Sequence, residues 1–76
     1  MIVTFKANKM MKRINGEGRG ALLDDKTVSY IRSLDGLTGN TYNWRSQVFG
    51  EHVVLLENGV YVNVDDCVEG VVDESN

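Results

Sequence analysis

Glu51-His-Val-Val-Leu-Leu-Glu-Asn-Gly-Val-Tyr-Val-Asn-Val64 is the stretch on which the fold turns. Two runs rich in β-branched and large apolar residues flank Asn58-Gly59, a pair that accepts the two positive φ angles of a type I′ turn, and the stretch reads as a β-hairpin. A two-residue turn sets Glu57 opposite Val60, Leu56 opposite Tyr61, Leu55 opposite Val62, Val54 opposite Asn63, Val53 opposite Val64 and His52 opposite Asp65. Alternation then puts Val53, Leu55, Val60, Val62 and Val64 on one face with Glu57, the expected core face. His52, Val54, Leu56, Tyr61 and Asn63 share the other. That second face is half apolar, so it is expected either to be covered by another part of the chain or to serve a partner.

Working outward, Met1 to Ala7 alternates as a strand with Met1, Val3, Phe5 and Ala7 on one side. Residues 8–14 place Met10, Met11 and Ile14 at helical spacing ahead of Asn15-Gly16, which suits a short helical turn or an irregular loop. Residues 15–20 hold three glycines and read as a flexible loop. Residues 21–33 read as a second hairpin with Asp24-Asp25 near its turn. The alternative is a helix over 26–35, with Asp24 or Asp25 as N-cap, Val28, Ile31 and Leu34 as its stripe and Gly36 as its stop. The run Thr-Val-Ser-Tyr-Ile is poor helix material, which favours the strand. Residues 35–40 form a loop, and Thr41 to Phe49 a strand whose Tyr42, Trp44 and Val48 are expected to face the core. Asp65-Asp66 makes a tight turn before a closing strand over 67–72, and residues 73–76 a frayed polar tail.

At 76 residues, 42% hydrophobic and 25% charged, the chain suits one small globular domain without the size for a deep enzyme pocket. No apolar run approaches the ~20 residues of a membrane span, and the first fifteen residues carry charge where a secretory leader has an apolar core. A cytoplasmic setting is expected. The net charge of −3 hides a polarised distribution. Residues 1–19 hold Lys6, Lys9, Lys12, Arg13 and Arg19 against Glu17 alone, whereas residues 49–76 hold seven acids and no lysine or arginine. Either the two ends pack together and compensate, or one end is an electrostatic binding surface.

Motifs of catalysis are missing. The sequence has no His-Glu-x-x-His, no paired-cysteine spacing, no Gly-x-Ser-x-Gly and no Walker loop, and Gly16-Glu-Gly-Arg-Gly20 lacks the lysine and the strand-to-helix setting of a phosphate cradle. Asp24-Asp25 and Asp65-Asp66 are sequence neighbours that point apart in extended chain, and read as turn acids. His52 opposite Asp65 has no accompanying nucleophile. Cys67, the single cysteine, sits among acids that disfavour a thiolate and reads as a small buried residue. Neither a metal nor a cofactor is expected, and the chain reads as a non-enzyme.

Five to seven short strands, glycine punctuation and no proline predict an all-β fold, with at most one short helix, as a small barrel or a strongly curled antiparallel sheet. The run Tyr61-Val-Asn-Val-Asp-Asp-Cys-Val-Glu69 resembles the end of SH3-like domains, in which a strand, a single helical turn and a last short strand follow one another. Three functional expectations follow. The first is a protein-binding module, regulator or inhibitor whose hairpin face, with His52, Val54, Leu56, Tyr61, Asn63, Asp65 and Asp66, meets another protein with a basic surface. The second is a nucleic-acid-binding barrel with Lys9, Lys12, Arg13 and Arg19 on phosphate and Tyr42, Trp44 or Arg45 stacking on bases. The third is an accessory subunit of a larger assembly. Pairing of copies through an exposed sheet edge is a further possibility.

Overall fold

A computed structural model of the chain describes residues 2–42 and 53–70. The elements run β1 (Ile2–Phe5), α1 (Ala7–Gly16), a 3₁₀ turn (Gly20–Leu22), α2 (Asp25–Ser33), β2 (Thr38–Tyr42), β3 (Val53–Leu56), β4 (Tyr61–Asn63), a second 3₁₀ turn (Val64–Asp66) and β5 (Cys67–Glu69). The strands form one antiparallel sheet in the order β4-β3-β2-β1-β5, curled into a half-barrel. Two helices cover its inner face, which corrects the all-β expectation. The strand expected over 43–49, the turn at Gly50 and the tail over 73–76 lie outside the described residues, as do Trp44, Arg45 and His52.

The segment expected as the second hairpin is helical. Asp24 accepts the Thr27 N–H at 2.8 Å as a side-chain N-cap, and Gly36 takes a φ of 84° beyond the helix end. Ile31 and Leu34 are buried against the sheet. Burying two such side chains contributes about 1.5–3 kcal/mol each, more than the few tenths per residue by which Thr, Val, Ser, Tyr and Ile disfavour a helix. Caps and burial together outweigh propensity. Strand β2 begins at Thr38, inside the stretch expected to be a loop.

Helix α1 lacks a side-chain cap of its own at Lys6. Its first N–H is satisfied from elsewhere: the Ala7 N–H donates to Asp35 Oδ1 at 2.7 Å, across the end of α2. Ala7 is buried, and Met10, Met11 and Ile14 pack from the same side of the helix onto the core. The Phe5 C=O accepts from the Gly36 N–H, and the Phe5 N–H donates to the Leu37 C=O, so the chain leaving α2 is laid directly against β1.

The β3–β4 hairpin differs from its expected register by one residue. Leu55 faces Tyr61, Val54 faces Val62 and Val53 faces Asn63. The Leu56 N–H donates to the Val60 C=O and the Gly59 N–H to the Leu56 C=O, each at 2.9 Å, which makes Glu57-Asn58-Gly59 a three-residue loop. Gly59 alone in that loop has a positive φ, at 88°. A type I turn closed by a left-handed glycine has therefore replaced the type I′ turn, which needs Asn58 at positive φ as well. Glu57 is taken up by β2: its N–H donates to the Thr38 C=O, and its carboxylate accepts from Thr38 Oγ1 at 2.9 Å.

A one-residue slip exchanges faces. Val54 and Leu56, expected on the outward face, are fully buried with Val3, Phe5 and Cys67, whereas Val53 and Leu55 lie half-buried on the opposite side. Gly39 pairs with both Val3 and Leu56 in the middle of the sheet. A Cβ there would meet the Leu55 carbonyl oxygen and come within 2.8 Å of Val54 Cγ1, so only glycine permits the close approach of β2 and β3.

Candidate functional site

Between the helix pair and the β3–β4 hairpin lies a groove of about 410 Å³. Met10 and Ile14 of α1, Ile31 of α2, Leu34 just beyond it, and Val60 and Val62 of the hairpin give it an apolar lining. Leu22, Tyr30 and Tyr61 also line the groove while staying more than half exposed, at 53%, 55% and 53%. The hairpin register turns Val60 and Val62 inward, while Tyr61, paired with Leu55, alternates to the other face of β4.

Arg13 and Asp66 lie against the same groove. Arg13 Nε donates to Asp66 Oδ1 at 2.8 Å and Nη2 to Oδ2 at 2.9 Å, a bidentate fork that is among the stronger pairings of side chains. Asp66 is 1% exposed. The carboxylate, through its hydrogen bond and its charge, raises the Arg13 guanidinium pKa further above its ordinary value, so the cation is permanent. Asp66 is further anchored because its C=O accepts the Lys6 N–H. The Asn63 side chain accepts the Asp65 N–H at 2.8 Å, shaping the 3₁₀ turn that presents both acids.

Of the expected partner-binding residues, the structure brings Tyr61, Asn63 and Asp66 to the groove, with exposed Asp65 beside them. Val54 and Leu56 are core, a correction that follows from the register. Asp66 is not a surface acid but the buried half of an ion pair. Among the residues expected on phosphate, Arg13 is held by Asp66 and Arg19 lies 3.7 Å from Glu17, while Lys9 and Lys12 are exposed on α1. Tyr42 ends β2 opposite Val53. The polarised charge of the chain is thus met in part by internal pairing of its two ends.

Sequence reasoning missed Leu22, Tyr30 and Ile31 as site residues. The helical stripe of the alternative reading over 26–35 held the signal for Ile31, and with it the side of α2 on which Tyr30 lies. Cys67 is buried, and desolvation followed by the nearby Asp66 charge pushes its thiol pKa up to about 11. Among the described residues no group of His, Cys, Asp and Glu is arranged to hold a metal ion, and no helix is long and apolar enough to cross a membrane. Comparison of the chain with protein-family models, curated proteins and solved structures finds no match.

Proposed function

We propose that the chain is a non-catalytic protein-binding module, a small regulator or inhibitor, that receives an apolar side chain of another protein in the groove between the helices and the β3–β4 hairpin. One observation carries this reading. Of the four large apolar side chains more than half exposed among the described residues, three (Leu22, Tyr30 and Tyr61) border this one groove. Scattered exposed apolar residues are ordinary, but their convergence on a concave apolar surface is the mark of an interaction site, and tyrosine is enriched among interface anchors.

The non-catalytic part of the reading is supported by Cys67, whose thiol is buried in the core and stays protonated at neutral pH. An SH3-like description of the half-barrel is supported by β4, the 3₁₀ turn and β5, which follow one another as the resemblance of residues 61–69 implies. The test is affinity capture from cells that make the protein, comparing wild type with a Tyr30→Ala/Tyr61→Ala variant whose thermal melt is unchanged. A specific partner is expected with wild type and lost with the variant. Equal recovery of that partner would remove the groove from consideration.

A further inference from the structure

We infer that the side chain this groove receives is a neutral aromatic one, on a partner segment bound without help from charge. This rests on the groove being the partner site, and it comes from the state of the polar groups in the lining.

The charged residues lining the groove are Arg13 and Asp66, and they are engaged with each other. The remaining Arg13 nitrogen, Nη1, donates to Glu17 Oε2 at 3.5 Å, so every nitrogen along the edge of the guanidinium has an acceptor. The Thr27 N–H is taken by Asp24, and Asn63 Oδ1 accepts the Asp65 N–H. Among the described residues no buried side-chain nitrogen or oxygen lacks a hydrogen-bond partner. The lining thus calls for a charge of neither sign. Charges outside it do not change this. The helix side carries exposed Lys9, Lys12, Arg19, Lys26 and Arg32, but exposed Glu17, Asp24, Asp25 and Asp35 stand in the same layer, and none of them lines the groove. The hairpin side adds exposed Glu57 and Asp65, which do not line it either. A charged anchor is desolvated here without a counter-charge, a cost that a neutral one avoids, so complementarity of charge selects a neutral occupant.

What the lining does offer suits a ring. With its edge engaged, Arg13 is left its flat face and its methylene stem, and a guanidinium face stacks on aromatic rings. Met10 brings a thioether, which makes favourable contacts with ring edges. Tyr30 and Tyr61 bring two rings that stay more than half exposed, and aromatic pairs contribute beyond the area they bury. An aliphatic anchor gains the contact with Ile14, Ile31 and Val62 but none of these. At about 410 Å³ the groove lies near the lower end of the roughly 300–1,000 Å³ range of small-ligand sites, which suits one aromatic side chain and its neighbours.

The test uses the full chain as bait for a random peptide library displayed on phage, followed by binding measurements on synthetic copies of the enriched peptides. Enriched peptides should share one Phe, Tyr or Trp and show no common charge beside it. Replacing that residue by leucine should weaken binding about two- to tenfold, the range of an aromatic pair beyond its area, and affinity should stay within about twofold between low and high salt. Tyr30→Leu and Tyr61→Leu, which keep bulk and remove the ring, should each weaken the aromatic peptide more than its leucine version, in variants whose thermal melts are unchanged. If the peptides carry aliphatic anchors or a shared charge, or lose affinity with salt, while Tyr61→Ala still weakens them, the inference fails and the groove stands. If none is enriched, or the enriched ones ignore both Tyr30→Ala and Tyr61→Ala, the groove reading fails with it. Concentration-dependent self-association abolished by Tyr61→Ala would make the occupant a second copy, and overturns the inference.

Discussion

Both carboxylate oxygens of Asp66 are held by the guanidinium of Arg13, 53 residues earlier in the chain. The two partners are unequally buried, with the Asp66 side chain 1% exposed and that of Arg13 31%. Arg13→Ala therefore leaves a buried carboxylate without its cation, and should destabilise by about 3 kcal/mol or more, as other broken buried pairs do. That is a large share of the roughly 4–11 kcal/mol available to a chain of this size. Arg13→Lys keeps the charge but loses the fork, and should fall between Arg13→Ala and wild type. Replacing both with apolar residues of similar volume should recover most of the loss. Urea unfolding midpoints of the four proteins check the order.

Gly39 and Gly59 should respond to alanine for different reasons. At Gly39 the new methyl is aimed at the Leu55 carbonyl oxygen and at Val54 Cγ1, neither of which can retreat without parting β2 from β3. A loss of about 1–3 kcal/mol is expected, the usual range for overpacking. Nothing lies within 4 Å of a Cβ at Gly59, where only the φ of 88° is strained. Gly59→Ala should cost about 1–2 kcal/mol and Gly59→Asn less. A far-ultraviolet melting series distinguishes the two, because Asn relieves position 59 and worsens position 39.

Cys67 should resist alkylation by iodoacetamide at neutral pH in the native state and react readily in denaturant. Its folded pKa of about 11 lies above the ordinary 9.0. A raised folded value means stability that is fully present below the unfolded pKa and lost as pH rises toward the folded one. Wild type should accordingly weaken between about pH 9 and 11 relative to Cys67→Ala, with no such difference between them at neutral pH. Parallel denaturation curves across that window provide the check.

Asp24 shows the opposite sign. Hydrogen bonding from Thr27 lowers its pKa below the ordinary 3.8, so the cap contributes above the unfolded value and fades as pH falls through the folded one. Asp24→Ala should lower the melting temperature at neutral pH, and the gap from wild type should narrow on acidification below about pH 4. An Asn at this position should stay near wild type at neutral pH and lose none of its cap on acidification.

The hairpin strands and the position of their turn could be read from the alternation around Asn58-Gly59, but the register could not. That dipeptide accepts more than one loop length, and the choice depends on Thr38, which captures Glu57 from 19 residues away. The same slip decided which hairpin residues could face a partner, so Tyr61 survived as a candidate while Val54 and Leu56 went to the core. Helix α2 had its cap, stripe and stop in the sequence. They were outweighed by the β propensity of its middle residues, because the burial that rewards Ile31 and Leu34 comes from a sheet assembled elsewhere. The Arg13–Asp66 pair had only a diffuse sign, the opposite charge of the two ends of the chain. No local pattern joins residues so far apart.

The place of β1 in the sheet has a consequence for how the protein is made. Val3 pairs on one side with Gly39 and on the other with Glu69. Strand β1 thus waits, with one edge open, until β5 has been translated. Closing that 66-residue separation costs more chain entropy than any hairpin in the molecule. Folding should therefore be limited by the return of β5 to β1, and a nascent chain stalled before Cys67 should carry an unpaired inner strand available for aggregation or for a chaperone.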